Sequence, residues 1–364
     1  MTAQAGLLVM FGLLVGSVIL SAVFAAIVRR LALRWQVVDR PEVAPNRKLQ
    51  TQSVPLLGGL AIWLTVVVAT SVLLPYLTTG YLLPKHLIGL WLAGTVLMIG
   101  GVWDDVKNLS PKVQLLFPVA ACIVVVACGI GVDYISNPLG GVIPLDNWQV
   151  IVWTRNGLPY QFTVVADLFT IGWLMLSMYT TKLLDGLDGL VSGVGMIGGV
   201  IIGLLCLTAG VMQPETAMLA FVFAGACAGF LLWNFAPARL YLGEGGALWI
   251  GFMLGALAII SGSKIATALL ILGLPILDVL AVIVRRVFVE RKSPFSGDLL
   301  HLHFQLQQRG WKPRTIVILY YLITLAFGLS TLLVTGLTKV IVLGILGLAG
   351  LSLVVYASRL PRRS

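Results

Sequence analysis

Long apolar stretches recur along the chain and alternate with short polar segments. A helix needs about 20 apolar residues to cross a bilayer, so each stretch predicts one membrane-spanning helix. The pattern predicts an all-α polytopic membrane protein, a single membrane domain over residues 1–364 with about 11 transmembrane helices. The stretch 247–284 can also be divided differently. The predicted spans lie near 5–28, 56–76, 86–103, 113–131, 166–182, 189–211, 217–234, 247–262, 264–284, 315–335 and 340–357.

The composition agrees with this pattern. Of the 364 residues, 59% are hydrophobic and only 10% are charged, and the mean hydropathy is +1.01. Soluble domains carry about a quarter charged residues. The composition therefore excludes an ordinary soluble domain.

The basic residues predict the orientation. When the loops are assigned alternately to the two faces, 20 of the 24 Lys and Arg residues fall on one face, which the positive-inside rule makes cytoplasmic. We expect a multi-pass protein of the plasma (inner) membrane with the N-terminus outside and the C-terminus inside. The first span has no basic residues before it, so it is expected to be a retained helix rather than a cleaved signal. The basic residues are scattered over loops, which argues against a nucleic-acid partner.

Two segments outside the spans are distinctive. Residues 133–165 lie on the outer side and place Asn156-Gly157 between two β-prone runs, the strongest short hairpin signal. They predict a small extracytoplasmic β-hairpin. The cytoplasmic loop 285–314 is basic and holds two of the three histidines. Ser293-Pro294-Phe295 indicates that this loop does not simply continue the preceding helix.

Acidic residues that could do chemistry cluster on the cytoplasmic face. Asp104-Asp105 ends the third span, where adjacent side chains diverge by about 100° on a helix and can meet different partners. Asp185 and Asp188 follow the fifth span, either on one helix face or across a glycine-hinged turn. Lys182 could pair with Asp185 or meet a phosphate. A polar turn or a solvated helix end is the simpler alternative at each place.

Three further positions add to this face. Glu244 lies in a glycine-rich turn and suits Mg²⁺ shared with a diphosphate, although it could also be a helix-capping acid. His301 and His303 are expected on one edge of an extended segment, where phosphate contact is a better interpretation than a zinc site. Asp278 lies inside a span, either as a functional group or as a structural partner of Arg285 or Arg286.

Taken together, these residues resemble the polyprenyl-phosphate N-acetylhexosamine-1-phosphate transferase superfamily. The likeness runs in order from about residue 46 to 315, and its ordered set of motifs is more specific than any one of them. The matching stretches are Asn46-Arg47-Lys48, Val54-Pro55-Leu56-Leu57-Gly58-Gly59, Asp104-Asp105 with Leu109-Ser110-Pro111-Lys112, Asp185-Gly-Leu-Asp188, Gly243-Glu244-Gly245, Leu274-Pro275-Ile276-Leu277-Asp278 and His301-Leu302-His303.

The resemblance implies transfer of a sugar 1-phosphate from a UDP-HexNAc to polyprenyl (undecaprenyl) phosphate, with UMP released and Mg²⁺ as cofactor (Mn²⁺ as an alternative ion). It would be the first membrane step of cell-envelope polysaccharide synthesis, and a homodimer stays open. The resemblance implies catalytic roles for Asp104, Asp105 and Asp185, with Glu244 and Asp105 on the metal. The implied substrate-binding residues are Lys48, Lys182, Asp188, Arg285, Arg286, His301 and His303.

The chain departs from the superfamily pattern at several of these positions. Glu244 stands where Asp is usual, Lys182 where Asn is usual, and Gln114 where Lys often follows the acid pair. Gln50 replaces a usual His and Leu56 a usual Arg. Lys182 could restore the cation that is lost at position 114. These changes bear mainly on which sugar is used.

Several alternatives stay open at this point. Ser293-Pro294-Phe295 with Asp298 resembles the GlcNAc-type enzymes, whereas the phospho-MurNAc-pentapeptide transferases typically carry three consecutive histidines there. A member that binds polyprenyl phosphate without turnover is a third possibility. An ion-coupled transporter belongs to another class, but it would place its charges near the midplane of broken helices, and only Asp278 does so here.

Overall fold

The structure, a computed structural model, describes residues 3–39, 53–137, 140–155, 158–262, 265–291, 301–334 and 336–359. It is a bundle of apolar helices, as the hydrophobic pattern predicts. The helices are α1 (Ala3–Arg34), α2 (Gly58–Val72), α3 (Leu74–Leu77), α4 (Pro84–Lys107), α5 (Pro111–Ala127), α6 (Val164–Leu184), α7 (Leu190–Leu207), α8 (Pro214–Asn234), α9 (Gly243–Ile260), α10 (Ile265–Ile271), α11 (Gly273–Val284), α12 (Leu302–Gln308), α13 (Pro313–Leu333) and α14 (Gly336–Arg359).

The helices divide into an inner and an outer group. About four fifths of the α9 span is buried inside the bundle, compared with 11% of the α14 span. Helices α7 and α8 pack along each other, α9 packs against α4 and α6, and α1 lies along the outside of α8. The apolar residues of the outer helices face outward, which suits a surrounding bilayer.

Glycines bring α2, α4 and α9 together at one end of the bundle. A Cβ atom on Gly59 would lie 2.3 Å from the Cα of Gly246, and one on Gly101 would lie 2.2 Å from the Cα of Gly245. The backbones therefore touch, as small residues allow between membrane helices. This contact places the first turn of α9 beside the last turn of α4.

The predicted span 264–284 is not continuous. Helices α10 and α11 meet at Leu272 with a bend of 79°. Pro275 in the first turn of α11 has no amide to donate to the preceding turn, which accounts for a break here. A π-helical turn, Arg285–Glu290, extends α11 toward the next loop.

The predicted hairpin is confirmed. Strands β5 (Gln149–Arg155) and β6 (Leu158–Thr163) pair antiparallel, with Gln149 opposite Thr163. A second small pair, β3 (Tyr134–Ser136) and β4 (Val142–Pro144), precedes it. Strands β1 (Val38–Asp39) and β2 (Val54–Pro55) pair at the other end of the bundle, beside the start of α2.

The all-α membrane class is confirmed, but the count of eleven spans is not. Among the described residues, eight helices are long and apolar enough to cross a bilayer, or nine if the bent α10–α11 pair is one span. Helices α2 and α5 fall at predicted spans, but they have only 15 and 17 residues.

Candidate active site

One cavity of about 800 Å³ collects residues from three of the polar motifs, the acid pair of Asp104 and Asp105, the segment from Lys182 to Asp188, and the turn of Glu244. It lies at the end of the bundle where α4, α6 and α9 approach one another, and its wall carries six carboxylates. Lys182 is the one basic residue among the described residues that line it. The acidic lining residues are Asp39, Asp104, Asp105, Asp185, Asp188 and Glu244.

The two acids at the end of α4 diverge, as expected for neighbours on a helix. Asp104 accepts hydrogen bonds from the Leu109 amide at 2.8 Å and the Gln114 side chain at 2.9 Å. Asp105 turns toward α9 and accepts the amide of Glu244 at 3.2 Å. Asp105 therefore holds the start of α9, where the unpaired amides and the helix dipole favour a negative charge.

Glu244 and Lys182 form an ion pair across the cavity wall. Both side chains are mostly buried, with 16% and 20% of their surface exposed. The Lys182 ammonium also donates to the side-chain oxygen of Gln114 at 3.0 Å and lies 5.4 Å from the centre of the Tyr179 ring. Lys182, proposed from sequence as a partner of Asp185 or of phosphate, thus pairs with Glu244.

Asp185 and Asp188 lie in the turn between α6 and α7, which confirms the glycine-hinged alternative. Gly189 has φ of +82°, a conformation that glycine adopts without strain, and its amide donates to Asn234 at 3.1 Å. Asp188 accepts the amide of Ala238 at 2.9 Å. The turn is therefore held from α8 and the segment that follows it.

Asp185 is exposed to the cavity. The surrounding protein weakens the hydration of its carboxylate and raises its pKa to about 7, and the negative charges of Glu244 and Asp105 act in the same direction. Carboxylates crowded in this way favour a bound cation, because the cation lowers the cost of keeping them ionised.

The histidine segment packs behind this turn instead of lining the cavity. His303 is fully buried against Gly186, and its ring is nearly parallel to that of His301 at 5.9 Å. Burial lowers the pKa of His303 to about 3, so its ring is neutral. The expected extended segment is wrong beyond His301, because α12 begins at Leu302.

Asp278 holds this segment in place. One carboxylate oxygen accepts the amide of Leu302 at 2.8 Å, and the other lies 3.1 Å from Nδ1 of His301. Asp278 is 3% exposed. The intramembrane acid is therefore a structural partner, and its partners here are His301 and the start of α12.

Other predicted residues lie away from the cavity. Arg285 and Arg286 belong to the π-helical turn after α11 and do not line it, although Arg286 is buried. Lys48 and the segment Ser293-Pro294-Phe295 lie outside the described residues. Sequence reasoning treated Gln114 only as a departure from the pattern, yet its amide links Lys182 to Asp104.

Asn234 is a further residue that sequence reasoning missed. It lines the cavity and accepts from the Gly189 amide and the Ser192 hydroxyl. It ends a long apolar helix without a recognisable motif. Its buried position against the start of α7 is a property of the packing, which no local signal carries.

The donor atoms suit a hard divalent cation. Asp105, Asp185 and Glu244 present carboxylate oxygens to one cavity, and Mg²⁺ typically binds one or two carboxylates with substrate phosphates and water. Within the described residues no three acidic, histidine or cysteine side chains converge into a preformed metal cluster.

An apolar helix bundle with one cavity that, among the described residues, is lined by six acids and one lysine suits an integral membrane enzyme. Comparison with known proteins identifies the family to which the chain belongs. The model of glycosyl transferase family 4 matches residues 87–262. The chain is 33% identical to the decaprenyl-phosphate N-acetylglucosaminephosphotransferase of Mycolicibacterium smegmatis, over 84% of this chain and 77% of that protein. The chain belongs to glycosyl transferase family 4, which confirms the resemblance seen in the motifs.

Two other relatives carry related names. The chain is 29% identical to a probable undecaprenyl-phosphate N-acetylglucosaminyl 1-phosphate transferase of Bacillus subtilis, over 87% of this chain and 82% of that protein. It is also 29% identical to a phospho-N-acetylmuramoyl-pentapeptide-transferase of Moorella thermoacetica, over 79% and 86%. Both similarities extend well beyond the matched family segment.

Proposed function

We propose that the protein transfers GlcNAc-1-phosphate from UDP-GlcNAc to a polyprenyl phosphate such as undecaprenyl phosphate. The single observation that carries this proposal is the cavity that Asp104, Asp105, Asp185 and Glu244 line together with Lys182, which pairs with Glu244. The names of the relatives supply the substrate class and favour a transferase over an ion-coupled transporter.

The reaction joins two phosphates. A lipid-phosphate oxygen attacks the sugar-bearing phosphorus of the donor, a new P–O–P bond forms, and the bond to the UMP oxygen breaks. Catalysis of phosphoryl transfer depends on positioning and on neutralising charge. The Lys182 ammonium can neutralise the negative charge of the donor phosphates. The Asp185–Asp188 turn helps to position the donor. A phosphate monoester is largely ionised near neutral pH, since its second pKa is about 6, so little proton removal is needed.

Asp105 and Glu244 are the proposed metal-holding residues, with Asp185 facing the same space. Bound Mg²⁺ would draw electron density from the donor phosphates and offset their charge. The role of Asp104 in this proposal is to hold the α4 end through Gln114. Mn²⁺ is expected to substitute, because it also prefers oxygen ligands.

An apolar groove beside the cavity supports a lipid acceptor. The groove measures about 510 Å³, lies between α2 and α4, and shares Val106 with the acidic cavity. A polyprenyl phosphate combines an apolar chain with an anionic head, so adjoining apolar and polar compartments suit it. The residues lining the groove are Leu60, Trp63, Thr95, Met98, Ile99, Val102, Trp103 and Val106.

The decisive experiment measures UMP release from UDP-GlcNAc, undecaprenyl phosphate and Mg²⁺ by the detergent-purified protein. Turnover by the wild type and loss of turnover in Glu244→Ala and Asp105→Asn are expected. A wild type inactive with every UDP-HexNAc would overturn the enzyme proposal, and turnover that survives both substitutions would overturn the site.

A second candidate activity is phospho-MurNAc-pentapeptide transfer, which the Moorella relative favours. The same assay separates the two, with UDP-MurNAc-pentapeptide included in a panel of UDP-sugars. Faster turnover of the pentapeptide donor would move the protein to peptidoglycan synthesis. We retain GlcNAc because two GlcNAc-named relatives cover comparable or larger shares of the chain.

We also propose a plasma-membrane location with the cavity on the cytoplasmic face and the hairpin outside. The basic loops support this orientation. Labelling of single cysteines by a membrane-impermeant reagent in intact cells tests it, because a cysteine at Trp148 in the hairpin region should react and one at Asn108 beside the cavity should not.

A further inference from the structure

Among the described residues that line the cavity, the charges are strongly unequal. Six carboxylates line it, and Lys182 is the one basic residue among its described lining residues. In the structure this ammonium pairs with Glu244, a carboxylate proposed to hold the divalent ion. An ammonium paired with a carboxylate and a divalent ion on the same carboxylate repel each other, so each weakens the binding of the other.

Lys182 is held at this place by a defined set of contacts. Gln114 accepts from the ammonium at 3.0 Å through its oxygen and donates to Asp104 at 2.9 Å through its nitrogen. The Tyr179 ring lies below the ammonium. The contacts run Glu244–Lys182–Gln114–Asp104 and so connect α9, α6, α5 and α4 around the cavity.

Three of the five residues that depart from the superfamily pattern are joined through Lys182. Lys182 touches both Glu244 and Gln114. The longer glutamate reaches the ammonium, and an amide at position 114 can accept from it, whereas a second ammonium there could not. The three departures are therefore one arrangement that keeps a single cation on the metal-holding carboxylate.

We propose that Lys182 is the resident counter-ion of Glu244 in the substrate-free site and is displaced when a divalent ion binds. The freed ammonium then turns to the donor diphosphate, a step that rests on the proposed function. Lys182 thus weakens metal binding in the empty site and strengthens donor binding in the loaded one. The metal would enter together with the donor instead of before it.

Metal binding without donor tests the competition directly. Mn²⁺ is titrated into the detergent-purified protein, and free Mn²⁺ is measured by electron paramagnetic resonance. Lys182→Gln should bind Mn²⁺ on the order of tenfold more tightly than the wild type, because the positive charge that opposes the cation beside Glu244 is removed. Lys182→Arg should stay near the wild type. Lys85→Gln, at the opposite end of the bundle, is the control and should leave binding unchanged.

A double variant that moves the positive charge within the cavity distinguishes the effect of direct contact with Glu244 from the effect of net charge. The double variant Gln114→Lys with Lys182→Gln keeps the cavity charge of the wild type and moves the ammonium from α6 to α5. It should bind Mn²⁺ as tightly as Lys182→Gln, because Glu244 has lost its partner. A return to wild-type affinity would mean that net charge alone acts, and it would overturn the proposal.

Donor binding gives the second readout. At saturating Mg²⁺, Lys182→Gln should raise the KM for UDP-GlcNAc about tenfold, and Lys182→Arg should restore most of it. Unchanged or weaker Mn²⁺ binding by Lys182→Gln would overturn the competition, whatever the activity. Absence of turnover in every variant would instead count against the proposed function, because the Mn²⁺ titration needs no turnover.

Discussion

Acidic side chains lie at the starts of helices at both ends of the bundle, but they serve different purposes there. At the hairpin end, Asp167 accepts the amide of Thr163 at 2.7 Å at the start of α6, and Glu215 lies in the first turn of α8. At the cavity end, Asp105 accepts the amide of Glu244 at the start of α9, and Glu244 lies in its first turn. An acid at a helix start is therefore not evidence of chemistry.

The difference lies in what surrounds each acid. In the part of the chain that the structure describes, six carboxylates and one lysine line the cavity, beside the glycine contacts between α2, α4 and α9. Charge concentrated away from bulk water must be offset by a ligand or a cation. The matched acids of the hairpin end therefore serve as controls for the following predictions.

The largest effect is expected at the two first-turn glutamates. Glu244→Gln should lower the rate of UMP release by about 10²- to 10³-fold, the scale of losing one preorganised charged group. Glu215→Gln changes the same residue type at the same helical position and should stay within about twofold, since helix-dipole contacts contribute only about 0.3–1 kcal/mol. Equal losses in both variants would indicate general destabilisation of the helices.

The two capping aspartates come next. Asp105→Asn and Asp167→Asn each keep an oxygen that can accept the helix amide, so both proteins should fold. Asp105→Asn should lose about 10²-fold in activity because the cavity loses a charge, and Asp167→Asn should lose little. The activity of each variant is measured at the same interval below its own melting temperature, so that a difference in stability does not contribute. Full activity in Asp105→Asn would show that Asp105 serves only to accept the amide at the start of α9 and has no role in catalysis.

The glycine contacts should matter less for chemistry than for stability. Gly101→Ala places a methyl group against the backbone of Gly245 and should cost about 1–3 kcal/mol, with a roughly tenfold loss of activity as Asp105 and Glu244 separate. Gly172→Ala in α6 meets no atom within 4 Å and is the control. Thermal unfolding in detergent measures both. A Gly101→Ala protein as stable as the control would contradict the close packing.

The last effect concerns pH and is the smallest of the four near neutral pH. The folded-state pKa of His303 is about 3, below its ordinary value of 6.5. Between these pH values the unfolded chain binds a proton that the folded chain does not, so stability falls as the pH drops below about 6.5, by about 2 kcal/mol at pH 5. His303→Phe should flatten this dependence in melting curves. An unchanged slope would show that His303 is not responsible.

Local patterns predicted much of this arrangement. The long apolar stretches predicted the helices, and Asn156-Gly157 between β-prone runs predicted the hairpin. Asp104-Asp105, Lys182, Asp185 and Glu244 were recognised because hydrophobic spans end beside them. The break at Leu272 was not predicted, since an uninterrupted apolar run does not indicate where a helix changes direction. Pro275 allows a break but does not by itself set the bend of 79°.

The sequence by itself determined the membrane class, the hairpin and the face on which the acids gather, because these depend on local hydrophobicity and on the order of the spans. Only the tertiary structure decided that Lys182 pairs with Glu244, that Gln114 joins Lys182 to Asp104, and that His303 is buried behind Gly186. Such contacts join residues far apart in the chain, and their geometry is set by how closely glycines let the helices approach.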